Sequence, residues 1–165
     1  MIGFGQKTYV PDDNFEAYLE ANGMGNGISD DSVNTASIDT VPFLDVSGQS
    51  IYDLTGIEAF TDLTYLNCYA NNISSSLNLS NNTALIELNI ADNNISSLDL
   101  SANTSLEKLV CYFNSNLYSL DISNNTALTY LECESIGITN LDLSNNTSLT
   151  YLDCNDNNLT SLDVS

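Results

Sequence analysis

The chain has 165 residues, 42% of them apolar, which is enough for one domain or for one stretch of a repeat array. It carries 22 acidic residues against two lysines, with no histidine or arginine, and its formal net charge is −20. This composition excludes imidazole zinc sites and Ser-His or Cys-His catalytic pairs, and it disfavours nucleic acid and anionic lipid, whose phosphates are bound by Lys and Arg. We expect a binding protein rather than an enzyme, and no membrane span, because no run approaches about 18 apolar residues.

The N-terminal region differs from the rest of the chain and is expected to cap it. Residues 1–8 lack the charged and apolar regions of a cleavable signal, so we expect a flexible end or the remnant of a signal or tag. The stretch VPDDNFEAYLEANG (10–23) predicts a short helix, with aspartates at its start and Gly23 at its end. Its apolar face comprises Phe15, Tyr18 and Leu19. Because terminal coils of a repeat array need a cover, we assign residues 9–40 to an N-terminal cap.

A leucine-containing phrase then recurs with nearly constant spacing. The aligned leucines are Leu63, Leu85, Leu106, Leu128 and Leu149, so the steps are 22, 21, 22 and 21 residues. The pattern L-x-x-L-x-L-x-x-N at this period predicts a leucine-rich repeat solenoid, in which stacking buries the leucines of each coil. The predicted repeats are 63–84, 85–105, 106–127, 128–148 and 149–165, and residues 41–62 form a less regular, transitional repeat.

Each coil contains the phrase twice, as in LIELNIADN (85–93) and ISSLDLSAN (95–103). Both halves alternate apolar and polar residues before an Asn corner, so we predict a mostly β fold with short parallel strands on both sides of each coil. Stacked Asn side chains can pair with backbone groups of adjacent coils, because an amide both donates and accepts. The two Asn columns are Asn71, Asn93, Asn114 and Asn157, and Asn82, Asn103, Asn125 and Asn146. Ile136 interrupts the first column, and we predict a slightly loosened corner there.

Four cysteines occupy one inward-facing column of the predicted coils: Cys68, Cys111, Cys133 and Cys154. In a short buried strand, Cys behaves as a small apolar residue, so we expect buried free thiols. A disulfide between neighbouring coils is the alternative, and it would strain the stack.

The repeats, of the form L-x-x-L-x-C-x-x-N-x-L-x-x-L-D-L-S-x-N-T, resemble bacterial leucine-rich repeats of the nested 21-residue (IRREKO-like) class. The lead-in VPDDNFEAYL (10–19) and the segment LDVSGQSIYDLTGIEAFTDLTYLNC (44–68) are similar to the N-terminal region of secreted or surface leucine-rich repeat proteins of Bacteroidetes. The resemblance implies an exported, non-enzymatic recognition or adhesion protein. It implies no particular ligand.

The outward positions on the first strand of each coil mix tyrosines, carboxylates and amides. Tyrosine is enriched at recognition surfaces because it offers a large rigid area and a hydroxyl group. Aromatic contacts that merely stabilise the sheet are the alternative interpretation. The candidate ligand-binding face consists of Tyr65, Asn67, Tyr69, Glu87, Lys108, Tyr112, Tyr130, Glu132, Tyr151 and Asp153.

The second strand of each coil places four aspartates in one outward column, which we call the Asp column: Asp99, Asp121, Asp142 and Asp163. Neighbouring coils lie about 4.8 Å apart, where two like charges repel by about 0.9 kcal/mol in water. Bound Ca²⁺ would offset this repulsion, because hard cations take carboxylate oxygens as ligands. Hydrogen bonding of each Asp to its own turn is the alternative. No other cofactor is expected.

The sequence therefore predicts an extracellular recognition module of the adhesion type, with an extracellular protein or a glycan as partner. A purely structural surface or spacer protein is the alternative. A polysaccharide-active enzyme is a third interpretation, because Glu132 and Glu134 lie about 6–7 Å apart on one strand face, near the carboxylate spacing of inverting glycosidases. We expect a monomer whose leucine-lined C-terminal end, without a cap, allows end-to-end pairing.

Overall fold

The computed structural model describes residues 5–74 and 77–162. In chain order its elements are β1 (Lys7–Tyr9), α1 (Asp13–Ala21), β2 (Ser32–Asn34), β3 (Phe43–Asp45), β4 (Tyr65–Asn67), β5 (Glu87–Asn89), β6 (Lys108–Val110), β7 (Tyr130–Glu132) and β8 (Tyr151–Asp153). Two short 3-10 helices, Thr35–Ser37 and Ile57–Ala59, precede β3 and β4. The predicted fold class, a solenoid of β coils with a short helix near its N-terminus, is confirmed.

The strands β3 to β8 form one parallel sheet in chain order. Each strand pairs residue for residue with the next, so that Leu44, Leu66 and Leu88 are register partners. These leucines point into the solenoid and are fully buried, whereas the residues on either side of each leucine point outward. Because the same positions recur in every coil, one continuous apolar core runs through the whole stack.

The opposite side of the coils pairs less regularly than the sequence predicts. Within the described residues it forms one isolated parallel bridge, between Leu77 and Leu98, rather than a second sheet. A local hydrogen bond explains why the pairing is so short. The side chain of Asp99 accepts the N–H of Ser101, so the chain turns directly after the paired residue Leu98. The apolar side chain between them, Leu100, still lies in the core. The predicted alternation is therefore present, but the strand pairing is reduced to the bridge.

The first Asn column joins adjacent coils through both ends of the side-chain amide. The Asn114 amide donates to the carbonyl oxygens of Ile90 and Cys111, and its oxygen accepts the N–H of Ile95 at 3.0 Å. One coil beyond Ile136, where the column is interrupted, the Asn157 oxygen accepts three successive N–H groups at 3.3, 2.9 and 3.2 Å. Two of these three bonds are longer than the 3.0 Å bond of Asn114, which agrees with a slightly loosened corner.

The second Asn column is more deeply buried than the first and is bonded differently. The Asn125 amide donates to the carbonyl oxygens of Leu100 and Asn103 at 3.2 and 2.9 Å. Both carbonyls also accept a backbone N–H, from Asn103 and from Leu106 respectively. Among the described residues, no group donates a hydrogen bond to the side-chain oxygens of Asn82, Asn103, Asn125 and Asn146. The amides of this column therefore add bonds to carbonyl groups that are already paired.

A single aspartate both starts the helix and fastens the cap to the first coil. One carboxylate oxygen of Asp12, the N-cap of α1, accepts two backbone N–H groups of the first helical turn. The other oxygen accepts the N–H groups of Tyr52 and Asp53 in the transitional repeat. Phe15 of the helix is buried and stacks on Phe60, with the ring centroids 6.4 Å apart. The helix and its N-cap are therefore fastened to the transitional repeat, while the capping role of residues 9–40 stays a prediction.

The strand β1 pairs antiparallel with β2, so Lys7 and Thr8 belong to the cap. This corrects the expectation of a flexible end over residues 1–8 at these two positions, while residues 1–4 lie outside the described part of the chain. The strand passes close to Gly56, whose φ is +106°, and a Cβ at this glycine would lie 2.8 Å from the carbonyl oxygen of Tyr9. The other predicted repeat and cap boundaries stay predictions.

Two glutamates of α1 hold the loop that leads to β2. Glu16 is buried, and its carboxylate accepts two backbone N–H groups and the hydroxyl of Ser29. The carboxylate of Glu20 accepts the N–H groups of Asn26 and Gly27. These two acidic side chains therefore stabilise the cap and are not part of the freely exposed acidic surface.

Candidate binding face

Three columns of outward side chains run across β3–β8 and the turns that follow them, and we call this surface the first-strand face. The first column contains Phe43, Tyr65, Glu87, Lys108, Tyr130 and Tyr151. The middle column contains Asp45, Asn67, Asn89, Val110, Glu132 and Asp153. The third, two residues further along each coil, contains Ser47, Tyr69, Ala91, Tyr112, Glu134 and Asn155. The alternation of the strands places all three columns on the side away from the core.

Aromatic rings stack in parallel at two places in the first column. The rings of Phe43 and Tyr65 are 4.2 Å apart at 6°, and those of Tyr130 and Tyr151 are 4.3 Å apart at 5°. The ammonium group of Lys108 lies 5.0 Å from the centroid of the Tyr130 ring. Tyr130 therefore has a cation on one side and an aromatic ring on the other. Because Phe43 and Tyr151 are 58% and 44% exposed, both stacks are accessible to a partner.

The second stack is tied to the middle column by a hydrogen bond. The Tyr130 hydroxyl donates to the carboxylate of Glu132. This hydrogen bond, together with burial, raises the pKa of Tyr130 well above its ordinary value of 10.0. Glu132 is the register partner of Asp153 on β8, so two carboxylates lie side by side next to the stack. Tyr130 therefore stays protonated. Its ring can contact a partner, but its hydroxyl hydrogen is already donated to Glu132.

At the other end of the middle column, the amide of Asn67 donates to Asp45 at 3.1 Å. Burial opposes the ionisation of Asp45, but the hydrogen bonds from Ser47 and Asn67 outweigh it and lower its pKa. Val110, in the centre of this column, is only 6% exposed. The polar part of the column is therefore divided into two separate ends.

The third column contains a smaller aromatic group. The ring centroids of Tyr69 and Tyr112 lie 6.3 Å apart, and the rings of Tyr112 and Phe113 are nearly perpendicular with their centroids 5.2 Å apart. Burial is the main cause that raises the pKa of Tyr112. Phe113 has a φ of +55°, in the left-handed region, and is half exposed at the corner after β6. This group widens the aromatic area of the face in the middle of the sheet.

Several solved bacterial structures share this fold. The functional domain of InlJ from Listeria monocytogenes, whose structure includes a cysteine ladder, superimposes with a TM-score of 0.87 and 39% identity, covering 99% of this chain and 37% of that one. An internalin of the same species, InlF, gives a TM-score of 0.80 and 27% identity, covering 93% of this chain and 46% of that one. A leucine-rich repeat protein of Leptospira interrogans shares the fold at 22% identity, with a TM-score of 0.71, over 75% of this chain and 33% of that one. The chain has the leucine-rich repeat fold.

Sequence comparison alone leads to the same group of proteins. Internalin J of Listeria monocytogenes serotype 4b is 40% identical over 75 residues, which are 46% of this chain and 8% of that protein. The leucine-rich repeat chain thus spans less than half the length of these relatives. No protein-family profile matches the chain. The predicted resemblance to leucine-rich repeat proteins is confirmed, whereas the Bacteroidetes-type origin and the IRREKO-like class stay predictions.

The candidate residues of this leucine-rich repeat fold all lie on the first-strand face, and their role in binding stays a prediction. The structure brings Lys108, Tyr130 and Tyr151 into one stack, and it places Tyr69 beside Tyr112. Sequence reasoning missed Phe43, which stacks on Tyr65. The signal was available, because the alignment of Leu44 with Leu66 puts Phe43 in the same column as Tyr65.

The described members of the Asp column lie exposed on the opposite side of the coils. One oxygen of each described member, Asp99, Asp121 and Asp142, accepts the N–H of the serine two residues later at 2.9 to 3.0 Å. Hydrogen bonds from these serines lower the pKa of all three carboxyl groups. Asp163 lies outside the described residues, and among those described no group of three His, Cys, Asp or Glu could hold a metal ion. The calcium hypothesis for this column stays a prediction.

The four cysteines of the leucine-rich repeats are free thiols. Cys68, Cys111 and Cys133 are buried in the core, whereas Cys154 is partly exposed. Burial raises the pKa of Cys68 and of Cys133 to about 12. Since the thiolate is the reactive form, the buried thiols behave as apolar packing groups.

Elsewhere on the described surface, the candidates for a binding or catalytic site are weaker. A hollow of about 530 Å³ lies at the last described coil, where its lining includes Leu149, Tyr151 and Leu152. Glu132 and Glu134, the two carboxylates considered for catalysis, are not among its lining residues. Within the described ranges, no helix is long and apolar enough to cross a bilayer.

Proposed function

We propose that the chain is a non-catalytic recognition module, extracellular and of the adhesion type, which binds a protein partner through the first-strand face. The observation that carries the proposal is the pair of accessible aromatic stacks, Phe43 with Tyr65 and Tyr130 with Tyr151, on one continuous sheet. Aromatic anchors surrounded by polar groups are typical of the centres of protein interfaces.

The rigidity of these side chains supports the proposal. Each stacked ring is held by its neighbour and by a strand whose register is fixed along the sheet. A tyrosine that is already ordered loses little conformational entropy when a partner binds, so more of the contact energy appears as affinity. The similarity to internalins also supports a protein-binding role, although the chain spans only part of those proteins. A glycan is the alternative partner, and we propose that the chain acts as a monomer.

Glu132 supports the non-catalytic interpretation. Its carboxylate accepts the hydrogen bond of the Tyr130 hydroxyl and helps to hold the second stack. Comparison of Glu132→Gln with the wild type in hydrolysis assays on polysaccharides tests this point. If the wild type hydrolyses a polysaccharide and the variant does not, the proposed recognition function would be wrong and the chain would be an enzyme.

The main test is binding of the labelled chain to an array of extracellular proteins and glycans. The variant Tyr130→Ala/Tyr151→Ala removes the second stack. Its matched control, Tyr52→Ala/Tyr118→Ala, removes two tyrosines that are at least as exposed but lie outside the first-strand face. We expect partners that bind the wild type and the control but not the stack variant, with circular dichroism confirming that both variants fold. Equal binding by all three proteins would refute the first-strand face as the binding site, and silence from all three would favour the structural spacer instead.

A further inference from the structure

We infer that the partner of the first-strand face presents an arginine-rich segment, whose guanidinium groups lie against the Tyr130–Tyr151 stack and between the carboxylates of Glu132 and Asp153. The inference rests on the proposed function, because it names the chemistry of the partner that binds this face. Three features of the face lead to it: its uncompensated charge, the position of its one lysine, and the geometry of β7 and β8.

The first-strand face is strongly acidic and is not neutralised from within the chain. Its carboxylates are Asp45, Glu87, Glu132, Glu134 and Asp153, against the single cation Lys108. In the part of the chain that the structure describes, no carboxylate of this face forms an ion pair, and the ion pair present joins Lys7 to Asp30 in the cap. A surface of this charge attracts a cationic partner and repels an acidic one.

The position of Lys108 demonstrates that a cation is accommodated on the aromatic column. Lys108 is the register partner of Glu87 on β5 and of Tyr130 on β7, so it lies between a carboxylate and a ring. Its ammonium group lies 5.0 Å from the Tyr130 centroid and makes no ion pair with Glu87. Tyr151 offers the same kind of ring one strand further on and is 44% exposed. A partner cation can therefore bind Tyr151 as Lys108 binds Tyr130.

Two carboxylates lie beside this ring, one on each of the two strands of the stack. Glu132 and Asp153 are register partners, so their backbones lie about 4.8 Å apart on neighbouring strands, and their like charges repel each other. Each lies two residues from a tyrosine of the stack on its own strand, about 7 Å away along the chain. The Asp153 carboxylate accepts the N–H of Asn155, and Glu132 accepts the Tyr130 hydroxyl, so both are oriented.

This combination favours arginine over lysine and over a metal ion. A guanidinium group is planar, stacks on an aromatic ring and donates from its edge to carboxylates at the same time. An ammonium group can do only one of these well in a single position. A divalent cation would bind the carboxylates but gain nothing from the rings.

The test uses the whole chain and three labelled peptides that alternate glycine with arginine, with lysine or with glutamate. Fluorescence anisotropy at low and at physiological ionic strength measures their dissociation constants. We expect the arginine peptide to bind most tightly, the lysine peptide more weakly and the glutamate peptide not at all, with affinity falling as salt rises. Tyr151→Leu should weaken the arginine peptide more than the lysine peptide, because it removes the stacking surface.

Two matched variants separate a specific face from a general effect of charge. Glu132→Gln/Asp153→Asn removes two carboxylates from the face, and we expect binding of the arginine peptide to weaken by about fivefold or more. Asp121→Asn/Asp142→Asn removes the same charge from the Asp column on the opposite side, and there we expect less than about a twofold change. Equal weakening by the two variants, or equal binding of the arginine and lysine peptides, would overturn the inference.

The same variants distinguish failure of this inference from failure of the proposed function. Suppose that a partner found on the protein array is lost with Tyr130→Ala/Tyr151→Ala but retained with Glu132→Gln/Asp153→Asn and at high salt. Recognition by the first-strand face would then stand, and the arginine-rich chemistry would be refuted. Loss with both variants, together with salt sensitivity, supports both proposals.

Discussion

Asn114 and Asn125 are fully buried members of the two Asn columns, and the structure predicts that their removal has different costs. In Asn114→Ala, the N–H of Ile95 and the carbonyl oxygen of Cys111 lose their only described hydrogen-bond partner. In Asn125→Ala, the carbonyl oxygens of Leu100 and Asn103 each keep a backbone N–H. That substitution also removes a buried amide oxygen that has no partner.

The difference can be estimated from the groups left unpaired. A buried backbone group without a partner costs about 1–3 kcal/mol, so two such groups make Asn114→Ala destabilising by about 3 kcal/mol or more. Asn125→Ala loses two additional bonds to carbonyls that are already satisfied, and we expect about 1 kcal/mol. Both substitutions remove the same atoms from fully buried sites, so the cavity terms largely cancel in the comparison.

Urea unfolding followed by far-ultraviolet circular dichroism measures both free energies of unfolding, provided that the slope with urea is the same in the three proteins. We expect Asn114→Ala to be the less stable variant by about 2 kcal/mol. Equal stabilities, or a larger cost for Asn125→Ala, would refute the argument that unpaired backbone groups decide the contribution of each column.

Four further predictions concern the cap, the thiols and, in the last two cases, the Asp column. Gly56→Ala should lower the melting temperature far more than Gly48→Ala. Both glycines have a positive φ, but only a Cβ at Gly56 would meet the backbone, 2.8 Å from the carbonyl oxygen of Tyr9. Equal decreases in melting temperature would contradict this prediction. A thiol reagent at mildly alkaline pH should modify Cys154 in the folded protein and should reach the three buried thiols, Cys68, Cys111 and Cys133, only on unfolding. The reason is that burial raises the pKa of Cys68 and Cys133 to about 12. Rapid reaction of a second thiol in the folded protein would disprove this prediction. The hydrogen bonds from Ser101 lower the pKa of Asp99 in the folded protein below its ordinary value of 3.8. The ionised side chain therefore stabilises the folded state above pH 3.8, and this stabilisation is lost as the pH falls through the lower pKa of the folded protein. The melting temperature of the wild type relative to Asp99→Asn should therefore fall below pH 3.8, and a constant difference would argue against the turn bond. At neutral pH, CaCl₂ and NaCl of equal ionic strength should raise the melting temperature alike if turn bonding is the role of the column, whereas a calcium-specific rise would support the calcium hypothesis.

The sequence predicts the architecture well because every coil repeats the same inward pattern. Leucines at fixed positions and asparagines at the corners leave little freedom, and both are buried as expected. The sequence overestimates the strand pairing on the second side of the coils, because an alternating pattern indicates which side chains point inward and not whether strands pair. There the side chain of Asp99 bonds its own turn instead.

The candidate face was predictable in position but not in its contacts. Register follows from the repeat, so the columns that contain Tyr65 and Tyr130 could be read directly from the sequence. The pairing of Lys108 with a tyrosine ring rather than with Glu87 depends on rotamers, which no spacing rule specifies. The buried role of Glu16 was equally inaccessible, because it depends on the path of the loop that follows the helix.

The register of β3–β8 has a consequence for how such a chain changes length. Every coil meets its neighbours through the same leucines and the same strand positions, so whole coils are interchangeable at their boundaries. Deletion of residues 85–127 would bring Leu128 into the place of Leu85 without creating a new kind of contact in the core. The face would become two strands narrower, and Tyr130 would then follow Tyr65 directly. Gain or loss of coils could thus rearrange the order of residues on the face while leaving the interior unchanged.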